Sequence, residues 1–314
     1  MDLRALIDGI IERLPLEYDR KGIEATISHI ERAEKYWFMA REGFDVEMYT
    51  DVVYRTNQAF EGALKEAYFV LVENAPKKVS PFEIESYLVD NEILKPKLIE
   101  AVRNYRQEWR NTSAHDYKLF FSEHEALLAI ANVSTFTVML LEQIIVKVNE
   151  NIEKQRVSQM VKSIRGSISN YEKLDFNKKV YSTLASSYSN FYEVKDKLPM
   201  NQYVGKLAGF VEAVIDEASV STDVELVSGT GLFADLLISS STNETVVIEV
   251  KQMPKHQSLN LSHHNYVVKL LDRSGIKHGA LMVVDSTSKT GSYSIQQTIF
   301  PDTSDIVTIF PTYD

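Results

Sequence analysis

Residues 231–251 read GLFADLLISSSTNETVVIEVK: two apolar runs separated by the polar stretch SSTNE. Such runs bounded by a polar turn read as a pair of β-strands. The first carries one carboxylate, Asp235, and the second carries Glu249 and Lys251 two residues apart. Residues i and i+2 of a strand point to the same side. Glu249 and Lys251 therefore share one face, and Val246, Ile248 and Val250 form the apolar other face. A hairpin centred near Thr242 sets Asp235 opposite Glu249. Two carboxylates and an ammonium then converge, which is what holding a divalent cation and a water beside a phosphodiester requires.

The 314-residue chain has room for two domains, and 44% apolar with 25% charged residues is an ordinary globular composition. It contains no cysteine, which excludes disulfides and thiolate metal sites and suits a reducing cytoplasm. MDLRALIDGIIERL mixes charge with apolar residues at helical spacing, so it reads as neither signal peptide nor membrane span, and no membrane partner is expected. A net charge of −10 weighs against a nucleic-acid partner. Its distribution weakens that objection. Residues 1–150 hold 18 basic and 26 acidic side chains, whereas residues 151–190 hold 7 basic and 3 acidic. Local basic surface, not whole-chain charge, decides whether a phosphate backbone can dock.

Residues 1–150 read as helical throughout. Apolar side chains recur three and four apart in Leu3, Leu6, Ile7, Ile10 and Ile11 and again across 49–72. Ser80-Pro81-Phe82-Glu83 and Ser122 with Glu125 are capping boxes that predict helix starts. The second opens a long apolar helix. Residues 151–196, rich in serine, asparagine and tyrosine, read as a connecting region with some helix. From 197 onward the pattern is α/β. A helix is predicted over 202–218, strands over 223–228, 232–239 and 245–251, a helix over 261–273, and closing strands over 279–285 and 305–310. The expected fold class is α plus α/β: an all-helical N-terminal domain, then a mixed sheet with helices on its faces. SGTGLF at 228–233 is too short for a phosphate-cradling loop and reads as a turn.

Glu212 in GFVEAVIDEA, Asp235 in LFADLLI and Glu249-Val250-Lys251 in VVIEVK resemble the PD-(D/E)xK nuclease superfamily over about 200–314. The order also resembles it: a glutamate on the leading helix, an aspartate at a strand, an ExK on the next strand, then helix and strand. The proline of the family name is absent, since Ala234 precedes Asp235. The resemblance implies a Mg²⁺ (or Mn²⁺) site ligated by Asp235 and Glu249, with Glu212 adding a further contact. Lys251 would orient or deprotonate the attacking water and help neutralise the phosphorane. Gln252 and His256 follow closely enough to touch phosphate, or lie on an exposed loop. His263 and His264 are adjacent and read as surface histidines.

A second constellation is WRNTSAHDY, residues 109–117. On an unbroken helix Arg110 and His115 would stand about 140° apart, so they converge only at a helix end or break. The downstream capping box predicts such a break. A histidine near neutral pKa and a permanently charged arginine suit removal of a proton from a ribose 2′-OH and stabilisation of the phosphorane. With Asn111 they form R-N-x-x-x-H, and residues 44–150 are similar to the HEPN family of RNA-cleaving or RNA-binding domains. That resemblance implies a homodimer with a composite site, metal-independent RNA cleavage by Arg110 and His115 supported by Asn111, and residues 1–43 as a helical extension.

Together the two resemblances imply a prokaryotic nuclease effector in defence against phage or other foreign nucleic acid, cutting DNA through its C-terminal domain. An unidentified regulatory partner would fit such an effector. Two readings compete with it. In one, the HEPN-like half is a metal-independent RNase toxin and the C-terminal half binds or senses DNA. In the other, both sites are vestigial and the chain is an interaction scaffold.

Overall fold

The computed structural model describes residues 3–43, 45–110, 120–190, 198–253, 261–285, 293–298 and 306–311. Among them are ten α-helices and one six-stranded mixed sheet, and the chain divides into two units, Met1–Val148 and Asn149–Asp314.

The described residues of the first unit contain no strand. Its helices are α1 (Leu3–Ile11), α2 (Lys21–Arg41), α3 (Met48–Leu71), α4 (Pro81–Asp90) and α5 (Pro96–Tyr105), followed by the start of α6 (Glu123–Ser158). Helix α2 is no appendage. Its Ala33, Trp37 and Ala40 pack into one core with Tyr49 and Val52 of α3 and Ala126 and Ile130 of α6. Phe60 of α3 stacks on Tyr105 with ring centroids 4.3 Å apart. Both capping boxes form. Ser80 N donates to Glu83 Oε2 at 2.9 Å, and Ser122 N donates to Glu125 Oε2 at 2.8 Å. Each serine Oγ in turn accepts from the glutamate backbone N–H at 3.3 Å. Ser122→Ala removes that acceptor from the first turn of α6, and a loss of about 1 kcal/mol in urea unfolding is expected.

Among the described residues, α6 is long and apolar enough to cross a bilayer by length and composition, yet 61% of its apolar window is buried within the protein. Ala126, Ala129, Val133, Leu140 and Ile144 are core residues, which accounts for the apolar run without a membrane.

The second unit begins within α6 and continues through α7 (Val161–Ser167), α8 (Phe176–Asn190) and α9 (Met200–Val214). Strands β1 (Ala218–Glu225), β2 (Phe233–Ser240) and β3 (Thr245–Met253) follow, then α10 (Leu261–Ser274), β4 (His278–Asp285), β5 (Tyr293–Thr298) and β6 (Ile306–Pro311). The order across the sheet is β1-β2-β3-β4-β6-β5. β1, β2 and β3 are antiparallel neighbours, and β4 joins β3 in parallel. A parallel neighbour needs a crossover connection, and α10 supplies it.

Both faces of the sheet are covered. Leu236, Ile238, Val246, Ile248, Val250, Met282 and Ile309 meet Leu184, Leu207, Phe210 and Val211 of α8 and α9. On the other face Val247, Leu281 and Ile306 meet Val267, Leu270 and Leu271 of α10. Residues 151–196, expected as a connector, supply Val157, Ile164, Val180 and Leu184 to this core. The end of α9 is tied to the same region: Arg165 Nε and the Tyr171 hydroxyl donate to the Val214 carbonyl at 2.8 and 3.0 Å. They satisfy a helix-end carbonyl that has no partner of its own. Strand β1 starts five residues earlier than expected. Residues 226–232 close the turn instead, with Leu226 N donating to Leu232 O and Thr230 N to Val227 O.

Candidate active site

The β2–β3 ladder pairs Leu236 with Ile248, Leu237 with Val247, Ile238 with Val246 and Ser239 with Thr245. One step further along the same register, Asp235 stands across from Glu249. Parity places both on the α10 face, with Leu237 and Val247. Asp235 Oδ2 accepts the backbone N–H of Val250 at 2.7 Å, which locks the carboxylate onto the neighbouring strand. Lys251 Nζ donates to Glu249 Oε1 at 2.5 Å. Glu249 is only 4% exposed, and its other oxygen, Oε2, is buried without a hydrogen-bond partner. A buried, unpaired carboxylate oxygen is costly and calls for a partner.

Burial raises the Asp235 carboxyl, opposed by the Val250 N–H and the Lys251 charge, with the charge of Asp223 adding to the rise. Burial and then the neighbouring Asp235 charge push Glu249 up to about 7, against the pull of Lys251 and of the Asp235 backbone N–H. This has a consequence for stability. The native Glu249 holds a proton more tightly than the unfolded chain, whose glutamate titrates near 4.5. Its contribution is therefore present below pH 4.5 and is lost as pH rises through 7. The cation-free protein should lose roughly 2–3 kcal/mol across that window from this group. Glu249→Gln, which mimics the neutral acid, should flatten the difference. Urea midpoints of both proteins at pH 5 and pH 8 check it, and parallel pH dependence in the two would refute it.

Tyr266 of α10 completes the wall above the pair. Its hydroxyl donates to the Phe233 carbonyl at 2.7 Å, and Lys251 Nζ lies 5.8 Å from its ring centre. Asp223 on β1 lies beside Asp235. The ladder pairs Thr222 with Leu236 and Val224 with Ala234 and skips the step between, where Asp223 takes a left-handed backbone with φ 51°. Sequence reasoning missed both residues. A hairpin centred on Gly229 would have placed Asp223 opposite Asp235; nothing local marks Tyr266.

Glu212 is not part of this cluster, which corrects its assignment as a metal ligand. It sits on α9, whose Phe210 and Val211 pack on the opposite face of the sheet. Both of its oxygens are engaged: Oε1 accepts from Val220 N at 3.1 Å and Oε2 pairs with Lys154 at 2.9 Å. Gln252 also points away from the pair and donates to the Leu198 carbonyl at 3.2 Å. His264 bonds Thr308 Oγ1 at 3.0 Å, so it serves the fold between α10 and β6. His256 lies outside the described residues. So do Asn111 and His115, along with the side chain of Arg110. What precedes them is a π-helical turn, Arg106–Arg110, at the end of α5, and a buried Trp109 whose ring lies 6.0 Å from that of Phe121.

No family model, curated protein or solved structure matches this chain. What the site can do rests on its own geometry. Among the described residues no three of His, Cys, Asp and Glu form a metal-ligating group. Asp235 and Glu249 remain as a pair of hard oxygen donors, and the orphaned Glu249 Oε2 is the observation that fits them to a small divalent cation. Water and substrate phosphate oxygens commonly supply the other positions around Mg²⁺.

Proposed function

We propose that the C-terminal unit is a Mg²⁺- or Mn²⁺-dependent nuclease of the PD-(D/E)xK kind that cuts DNA phosphodiesters. The observation that carries this reading is the convergence of Asp235, Glu249 and Lys251 on paired strands, with one buried carboxylate oxygen left unpaired. The element order supports it as well: a leading helix, antiparallel strands bearing Asp235 and Glu249-Val250-Lys251, a crossover helix and a parallel strand.

In this reading Asp235 and Glu249 Oε2 would hold the ion. When bound, the ion supplies Lewis acidity to the scissile phosphate and the attacking water. Lys251, 31% exposed at its side chain and held at Glu249 Oε1, reaches outward to orient the water and offset charge growing on the phosphoryl oxygens. The Val250 N–H keeps Asp235 in place during the reaction. The N-terminal helical unit is read as a HEPN-like dimerisation module whose Arg110 and His115 cleave RNA, and the whole chain as a defence effector.

The test is a cleavage assay on plasmid DNA and on total RNA with Mg²⁺, Mn²⁺ or EDTA, using wild type, Lys251→Ala and His115→Ala. DNA cutting that needs the ion and is lost in Lys251→Ala supports the C-terminal site. RNA cutting that survives EDTA and vanishes in His115→Ala would move the principal activity to the N-terminal unit.

A further inference from the structure

Resting on the nuclease reading of this site, we propose that Tyr266 is a positioning residue for Lys251: its ring holds the ammonium where it can act while Glu249 serves the ion. Glu249 has two demands on it. Oε1 pairs with Lys251, and the unpaired Oε2 is the oxygen open to a cation. A cation at Oε2 draws the carboxylate charge toward itself and weakens its hold on Lys251, since the two positive charges compete for one carboxylate. The long lysine side chain carries considerable rotamer freedom. Its other contact is the Tyr266 ring, 5.8 Å from Nζ, within the range in which an aromatic face attracts an ammonium.

Tyr266 is itself fixed. Its hydroxyl donates to the Phe233 carbonyl, two residues before Asp235, so one side chain ties α10 to the strand that carries the first carboxylate. Val267, next on the helix, is fully buried against Val247 and Leu281, which sets the height of α10 over the sheet. Ring and hydroxyl therefore have separate duties: the ring faces Lys251, and the hydroxyl ties α10 to β2.

Two substitutions separate these duties. Tyr266→Phe keeps the ring, and Tyr266→Leu removes it. The Lys251 ε-methylene resonances, assigned through Lys251→Arg, report the contact directly, because protons over an aromatic face shift upfield. In wild type and Tyr266→Phe they should be shifted, and in Tyr266→Leu they should return to the ordinary lysine position. DNA cleavage by Tyr266→Leu should fall about tenfold, the scale of a partly desolvated ammonium–ring contact. Calorimetric Mn²⁺ affinity should change less than about twofold, because the ligating carboxylates are untouched. An unshifted Lys251 in the folded wild type, or wild-type cleavage by Tyr266→Leu, overturns the proposal. A wild-type protein that takes up no Mn²⁺ and cuts no DNA sinks the nuclease reading instead. The resonance measurement, which needs no activity, still decides whether the ring holds the ammonium.

Discussion

Lys251→Ala and Asp235→Ala should each lower cation-dependent DNA cleavage by about a thousandfold, the scale on which loss of a charge-stabilising group or a ligand acts. The two losses differ in cause. Removing Lys251 takes away the ammonium that the proposed function sets beside the phosphate and leaves Glu249 Oε1 without its partner, so Glu249 should be protonated over a wider pH range. Removing Asp235 deletes a proposed ligand and the acceptor of the Val250 N–H. Calorimetry distinguishes them: Mn²⁺ binding should be lost in Asp235→Ala and kept in Lys251→Ala. Lys251→Arg retains the charge but presents a planar, permanently protonated group, so it should recover only part of the rate. Cleavage within tenfold of wild type in both alanine variants would place the chemistry outside this cluster.

Gly209→Ala should destabilise the second unit by roughly 3 kcal/mol or more in urea unfolding. Gly209 lies on α9, where a Cβ would stand 2.1 Å from the Glu150 carbonyl oxygen and 3.0 Å from the Lys154 N. Two effects oppose each other here. Alanine raises helix propensity by about 1 kcal/mol over glycine. The atoms in the way, however, are backbone of the last turns of α6, which cannot swing aside as a flexible side chain would. The clash therefore wins. Gly166, with nothing within 4 Å of an added Cβ, is the control: Gly166→Ala should be neutral or stabilising. Equal midpoints for the two variants would remove the packing argument.

Local patterns were informative where the cause was local. The capping boxes at Ser80 and Ser122 close as read, because all their partners lie within three residues. The β2–β3 register follows from a short turn and from side-chain alternation, so Asp235, Glu249 and Lys251 could be placed together before any coordinates. The R-N-x-x-x-H pattern stops at its own spacing, since Asn111 and His115 lie outside the described residues.

What failed to show in the pattern depended on distant partners. Residues 151–196 looked like a linker because serine and tyrosine dilute their apolar content. Folded, their tyrosines use both ring and hydroxyl: the single Tyr188 O–H lies between the carbonyls of Ile309, at 3.1 Å, and Val283 and shares its proton with them, bridging β6 and β4. Glu212 looked like a ligand because its order in the chain was right. Order does not say which face of the sheet a helix covers, and the packing of α9 turns Glu212 to Val220 and Lys154. Tyr266 became visible only once α10 was laid over β2 and β3. Sequence alone determined the helical first half, the hairpin and its charged face, because period and turn chemistry act over a few residues. Tertiary structure decided which carboxylates meet, what lies above them and which oxygen stays unpaired, because burial and contact are set by segments far apart in the chain.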